Sequence, residues 1–276
     1  MIEIKNLNKN YKTKKLIQDL SLTIHENQLT SLIGPNGAGK STLLNMAGRL
    51  LPYDSGQILI DGTEIEDWDS TELAKKMAIM KQSNPLDLQI SVRELMAFGR
   101  FPHSKGRLTQ DDQQLIDESL DYLNLTDLQD KKITELSGGQ LQRAFIGMVI
   151  CQDTDYILLD EPLNNLDINH SIGIMNLLRR LVDEKGKTIV VVMHDINYAS
   201  QFSDRIIAMK DGMVFANDEA NDVFQKNIVD DLFDIDVEII EYNLRKYCIY
   251  YGNDRNNCDE CLSDREDVKI FHQATN

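Results

Sequence analysis

GPNGAGKST, residues 34–42, decides how the rest of the chain is read. It follows the short apolar run Leu29–Ile33 and precedes a helical run from residue 41 to 49. An apolar run of that length, ended by glycine, suits a strand buried in a sheet. Gly34, Gly37 and Gly39 let the backbone wrap closely around phosphate oxygens, with Pro35, Asn36 and Ala38 completing the turn. Lys40 then reaches the terminal phosphates as a point charge, and the hydroxyl of Ser41, followed by Thr42, is placed to ligate Mg²⁺. A strand, a glycine loop and a helix in this order predict an α/β protein that grips a nucleotide.

Working outward, further strand-like runs rich in Ile, Val and Leu fall at residues 2–4, 20–24, 57–60, 78–80, 156–159, 188–193 and 205–210. Between residues 91 and 152 the pattern turns helical. Leu115, Ile116, Ser119, Leu120 and Leu123 make one face, and Leu141, Ala144, Phe145, Met148 and Val149 another. The expected architecture is an α/β core with a helical insert at about 86–155. From residue 221 the chain becomes acidic and less regular, with DVEIIEYNLRKYCIYY (236–251) predicted as a small hairpin ahead of a solvated tail.

Three strand ends carry chemistry. YILLDEP (156–162) ends an apolar strand in two carboxylates, and because side chains alternate along a strand, Asp160 and Glu161 can do different work. Asp160 suits a Mg²⁺ shell, while Glu161 suits orienting an attacking water. Gln82 after the strand 78–80 offers an amide oxygen to Mg²⁺ or water, and His194 after TIVVVM offers a hydrogen bond to a terminal phosphate. A second anion grip stands in LSGGQ (136–140), where Ser137 and the backbone N–H groups of Gly138, Gly139 and Gln140 open an amphipathic helix.

Bulk composition narrows the partners. The 276 residues carry a formal charge of −16, which argues against a nucleic-acid or anionic-membrane surface. Four cysteines are too few for a disulfide framework in a chain of this length, so a reducing cytosol fits. Cys258 and Cys261 form a C-x-x-C pair near Cys248 and His272, but the spacing follows no strong metal template and reads as ordinary thiols. No stretch approaches about 18 apolar residues, so the expectation is a soluble cytoplasmic chain that meets any membrane through a partner.

In order along the chain, the glycine loop, Gln82, LSGGQ, YILLDEP, LNNLD and His194 resemble the ATP-binding cassette (ABC) ATPases over about residues 1–220, leaving 221–276 as a C-terminal extension. The resemblance implies a P-loop NTPase core of RecA-like type with a helical subdomain and antiparallel β elements. It also implies Tyr11 against adenine, Gln82 as the Q-loop residue, Asp167 as the D-loop aspartate and His194 as the switch histidine. The family's commonest D-loop is S-A-L-D, whereas here Asn164 and Asn165 precede Leu166 and Asp167. In this family two cassettes pack head to tail, so the glycine loop of one and LSGGQ of the other close on the same ATP. One cassette per chain therefore implies a homodimer, with ATP and Mg²⁺ as its cofactors.

The absence of a fused membrane region favours an importer-type separate subunit at the cytoplasmic face of a permease, served by a lipid-anchored or periplasmic binding protein. ISVRELMAFGRFPHSKGRLTQDD (90–112) and EPLNNLDINHSIGIMNLLRRL (161–181) look like the iron-siderophore uptake branch, of catecholate type. Haem, cobalamin and other metal chelates stand as alternative cargo, and a non-transport ABC ATPase as a more distant one. Leu86, Leu88, Ile90 and Leu95 are candidates for the permease contact.

Overall fold

The computed structural model describes residues 1–81, 88–164 and 166–250. Its centre is a six-stranded sheet in the order β10-β9-β3-β8-β7-β6, formed by Met213–Glu219, Arg205–Lys210, Leu29–Ile33, Thr188–Val192, Tyr156–Asp160 and Met77–Met80. All neighbours are parallel except the antiparallel edge strand β10. Every residue of β3, β7 and β8 is buried, which is why their sequences are continuously apolar. Alternation still sorts their side chains. Ile157, Leu159, Ile189 and Val191 enter one core, and Tyr156, Leu158, Val190 and Val192 the other.

The second core lies between this sheet and a four-stranded antiparallel sheet in the order β2-β1-β4-β5, made of Lys14–Ile24, Ile2–Tyr11, Ser55–Ile60 and Thr63–Glu64. Helix α1 (Lys40–Ala47) contributes Leu43, Leu44 and Met46 to it. The apolar runs 2–4 and 20–24 capture only the buried ends of β1 and β2. Both strands continue through polar residues to Tyr11 and back from Lys14, because one face of an antiparallel sheet can meet water. The edge strand β10, half-exposed, gave no apolar run either.

Helix α2 (Ser70–Lys76) leads into β6, and after the undescribed residues 82–87 come α3 (Val92–Gly99), α4 (Phe101–Ser104), α5 (Gln110–Tyr122) and α6 (Gly138–Cys151). Capping boxes start α3 at Ser91, α5 at Thr109 and α6 at Ser137. Ile116, Ser119, Leu120, Leu123, Ala144, Phe145 and Val149 are buried, in line with the helical periodicity. Helices α3 and α6 cross at two glycines. A Cβ on Gly99 would lie 2.1 Å from the Met148 carbonyl oxygen, and one on Gly147 2.4 Å from Met96 Cε.

Helices α7 (Ile168–Lys185) and α8 (Ile196–Phe202) cover the sheet beside β8. The stretch from residue 221 to 250 is more ordered than its composition predicts. Helices α9 (Ala220–Val223) and α10 (Lys226–Phe233) and the hairpin β11–β12 (Val237–Tyr242, Arg245–Tyr250) place Val223, Phe224, Val229, Leu232, Val237 and Cys248 in the main core. The charged residues that made it look irregular face outward, and the few apolar ones do the packing. Cys258, Cys261 and His272 lie outside the described residues.

Candidate functional site

The 34–42 loop is held open by its backbone. Gly34 has φ 141° and Gly39 φ 100°, and at Gly34 an added Cβ would meet the Met209 carbonyl oxygen at 2.1 Å. The loop is also tied to the neighbouring turn, with Gly212 N–H donating to Ala38 O at 3.1 Å and Gln18 N–H to Gly212 O at 3.0 Å. The cleft above it is lined by Lys14, Leu16, residues 36–42, Glu161 and His194. Lys40 is buried and donates to Gly34 O at 2.7 Å and Pro35 O at 3.0 Å, spanning the mouth of its own loop. Burial lowers its pKa, and Glu161 and Asp160 pull it back toward the charged form.

Strand β7 brings the acids to this loop. Ser41 Oγ donates to Asp160 Oδ1 at 2.7 Å, joining α1 to the end of β7. Burial raises the Asp160 pKa, the Ser41 bond lowers it, and Glu161 raises it again. Glu161 leaves the strand with φ 51°, a left-handed conformation that costs a non-glycine residue about 1 kcal/mol or more. Its carboxylate meets His194, whose Nε2 lies 2.6 Å from Glu161 Oε1. Asn164 Nδ2 donates to Glu161 Oε2 at 2.6 Å.

LSGGQ stands elsewhere. Ser137 caps α6, accepting from Gln140 N–H at 3.3 Å while Gln140 Oε1 accepts from Ser137 N–H at 3.0 Å. Ser137 and Gly138 are exposed, Gly139 and Gln140 half-buried, and none of the four lines the cleft over the glycine loop. Asp167 caps α7, accepting from His170 N–H at 2.8 Å, and this bond with that to the His170 ring holds its pKa down. Tyr11 ends β1 with its ring exposed and does not line the cleft, where Lys14 and Leu16 form the wall. Gln82 lies outside the described residues. Sequence reading did not find Lys14, Leu16 or the Asn164 bond. Lys14 and Leu16 sit in a lysine-rich stretch, and Asn164 stood out only as a departure from the commoner D-loop.

Residues 17–164 match the sequence profile of the ABC transporter family. This chain belongs to that family. As an ABC cassette it is an ATPase, with the P-loop fold of its kind. Petrobactin import ATP-binding protein YclP of Bacillus subtilis (strain 168) is 50% identical over 252 residues, 91% of the cassette and 100% of YclP. Petrobactin import ATP-binding protein FatE of Bacillus anthracis is 48% identical over 241 residues, 87% of the cassette and 96% of FatE. Among solved structures, the dimeric post-hydrolysis state of the ATP-binding cassette MJ0796 bound to ADP and Pi is similar with a TM-score of 0.73. It is 34% identical and covers 80% of this cassette and 99% of that chain. No helix among the described residues of the cassette is long and apolar enough to cross a membrane.

Proposed function

We propose that the cassette is the ATP-hydrolysing subunit of an importer of iron-siderophore complexes, working as two head-to-tail copies on the cytoplasmic face of a membrane permease. The observation that carries the pairing is the separation of the two anion grips. Lys40, Ser41, Glu161 and His194 line one cleft, with Asp160 bonded to Ser41 behind it, while Ser137 and Gly138 are exposed, Gly139 is half-buried, and none of these three lines that cleft. A second copy would bring its Ser137 and Gly139 to the open side of that cleft, and Asp167 would lie at the join. Relatives named for petrobactin import support an iron-siderophore as cargo.

Ser41 and Asp160 fit Mg²⁺, a hard cation that takes oxygen ligands. Gln82 is the further proposed ligand. When bound, Mg²⁺ neutralises phosphate charge. The chain's own groups then divide the work. The backbone N–H groups of the loop and α1 hold the phosphates, Lys40 turns from the loop carbonyls to the terminal phosphate, and Tyr11 offers its exposed ring to adenine. Glu161 orients the attacking water, and His194 donates to the charge developing on the γ-phosphoryl oxygens. Cassette closure would move the permease between inward and outward states.

Glu161→Gln should cut ATP turnover at least a hundredfold while nucleotide still binds and holds two copies together. Turnover near the wild-type rate would remove Glu161 from its role, and monomers under saturating ATP in light scattering would end the pairing. Uptake of iron presented on a petrobactin-type chelate should be lost in a deletion strain, and unchanged uptake would refute the cargo.

A further inference from the structure

Lys14 and Leu16 stand two apart on β2, so their side chains share one face of the strand, and both line the nucleotide cleft beside residues 36–42. Lys15 between them belongs to the other face and lines no part of that cleft. The Leu16 backbone rests on the glycine loop, since a Cβ added at Gly39 would lie 3.0 Å from the Leu16 carbonyl oxygen. Lys14 is two residues back toward the hairpin turn, about 7 Å along the strand. Its ladder partner there is Tyr11, which puts the two side chains on the same face of the sheet. Lys14 therefore stands between the glycine loop and the exposed Tyr11 ring. The chain carries a charge of −16, and Lys40, the other lysine of the cleft, has Glu161 and Asp160 beside it. Among the described residues no carboxylate pairs with Lys14, whereas Lys9 on the neighbouring strand lies 3.0 Å from Asp54.

We infer that Lys14 is a nucleotide-binding residue that reads the α-phosphate, a second cation on the cleft wall besides Lys40. The inference rests on the terminal phosphates sitting on the 34–42 loop and the adenine on Tyr11. A nucleotide laid out that way carries its α-phosphate and ribose past Lys14. An ammonium has donors and no acceptor, so its partner on that stretch is the charged phosphate oxygen rather than a ribose hydroxyl. The α-phosphate is common to ATP and ADP, so Lys14 holds both equally and adds uniform binding, while Lys40 acts at the terminal end. A chain this acidic repels a free nucleotide, and a cation at the rim of the cleft offsets that field locally.

The test uses the full-length chain and titration calorimetry with Mg-ADP and the non-hydrolysable Mg-AMP-PNP. Lys14→Ala should raise Kd at least about threefold for both, by factors that agree within about twofold, on the scale of one exposed charge pair. KM for ATP should rise in step while kcat at saturating ATP changes less than about twofold. Lys14→Arg keeps the charge and should stay within about threefold of wild type, and Lys15→Ala removes the same charge from the opposite face and should do likewise. A smaller rise in Lys14→Ala, an equal one in Lys15→Ala, or a Lys14→Arg no better than Lys14→Ala overturns the inference. A loss confined to AMP-PNP would move the contact to the γ-phosphate, and one that vanishes with 2′- or 3′-deoxy-ADP would move it to the ribose; either also overturns it. Lys40→Ala or Tyr11→Ala with wild-type affinity for both nucleotides ends the layout on which the inference rests, a result separate from any given by the Lys14 variants.

Discussion

Arg100, at the junction of α3 and α4, is 7% exposed, and its Nε donates to Asp112 Oδ1 at 2.7 Å, with Asp112 4% exposed. Its Nη1 also donates to Cys151 O at 2.7 Å and Gln152 O at 3.1 Å, the carbonyls that close α6. One guanidinium therefore locks the start of α5 and the end of the helix whose other end presents Ser137. Replacing Arg100 with Met keeps most of the volume, leaves the Asp112 charge without its cation and removes the Arg100 bond to Cys151 O, while Gln152 O keeps the His103 ring and Asp112 Oδ2 keeps Thr109. The expected cost at pH 7 is about 3–5 kcal/mol, the range for a buried charge left without its partner. Asp112→Asn keeps an acceptor for Arg100 and should cost less, about 1–3 kcal/mol. Pairing Arg100→Met with Asp112→Leu should cost less than the two single changes summed, since no uncompensated charge remains.

The pH dependence gives the same reasoning a sign. Burial pushes the Asp112 pKa up, but the Thr109 N–H and Arg100 outweigh it and bring it to about 2. A depressed carboxylate pKa contributes stability that is present above the unfolded value of about 4 and lost as pH falls through about 2. In Arg100→Met the stranded carboxylate is relieved by protonation, so the gap between wild type and variant should narrow as pH drops from about 5 to 3. Urea unfolding followed by circular dichroism across that range measures both. A cost below about 1 kcal/mol at pH 7, or a gap that stays constant on acidification, would refute the account of this pair.

Two further outcomes follow from backbone geometry and docking. Gly39→Ala puts a Cβ at φ 100°, 2.8 Å from Ile17 Cδ1 and 3.0 Å from the Leu16 carbonyl oxygen, so ATP affinity by fluorescent-nucleotide titration should fall at least tenfold, and unchanged affinity would contradict the need for glycine there. The hairpin β11–β12 is clasped to α8 by Asn197, whose Oδ1 accepts from Cys248 N–H at 2.7 Å and whose Nδ2 donates to Cys248 O at 3.1 Å; Asn197→Ala should cost about 1–2 kcal/mol and speed exchange of the Cys248 amide about tenfold, and an unaltered exchange rate would show that core packing alone holds the hairpin.

The sequence by itself determined the nucleotide-gripping loop and the buried parallel strands, because both are written locally. A run such as Thr188–Val192 can be continuously apolar only if both faces are covered, and glycines at 34 and 39 answer to the dihedral angles of a few adjacent residues. Helix faces such as Ile116, Ser119 and Leu120 were legible for the same reason. Water-facing β1, β2 and the acidic stretch after residue 221 were read short or irregular, since a strand or helix with one wet face dilutes its apolar signal below what a window of residues can show. Only the tertiary structure decided that Asp160 meets Ser41 and that Glu161 turns left-handed toward His194. Those contacts depend on strand register and on one backbone angle after β7, quantities set by the packing of the whole sheet rather than by any neighbouring residue.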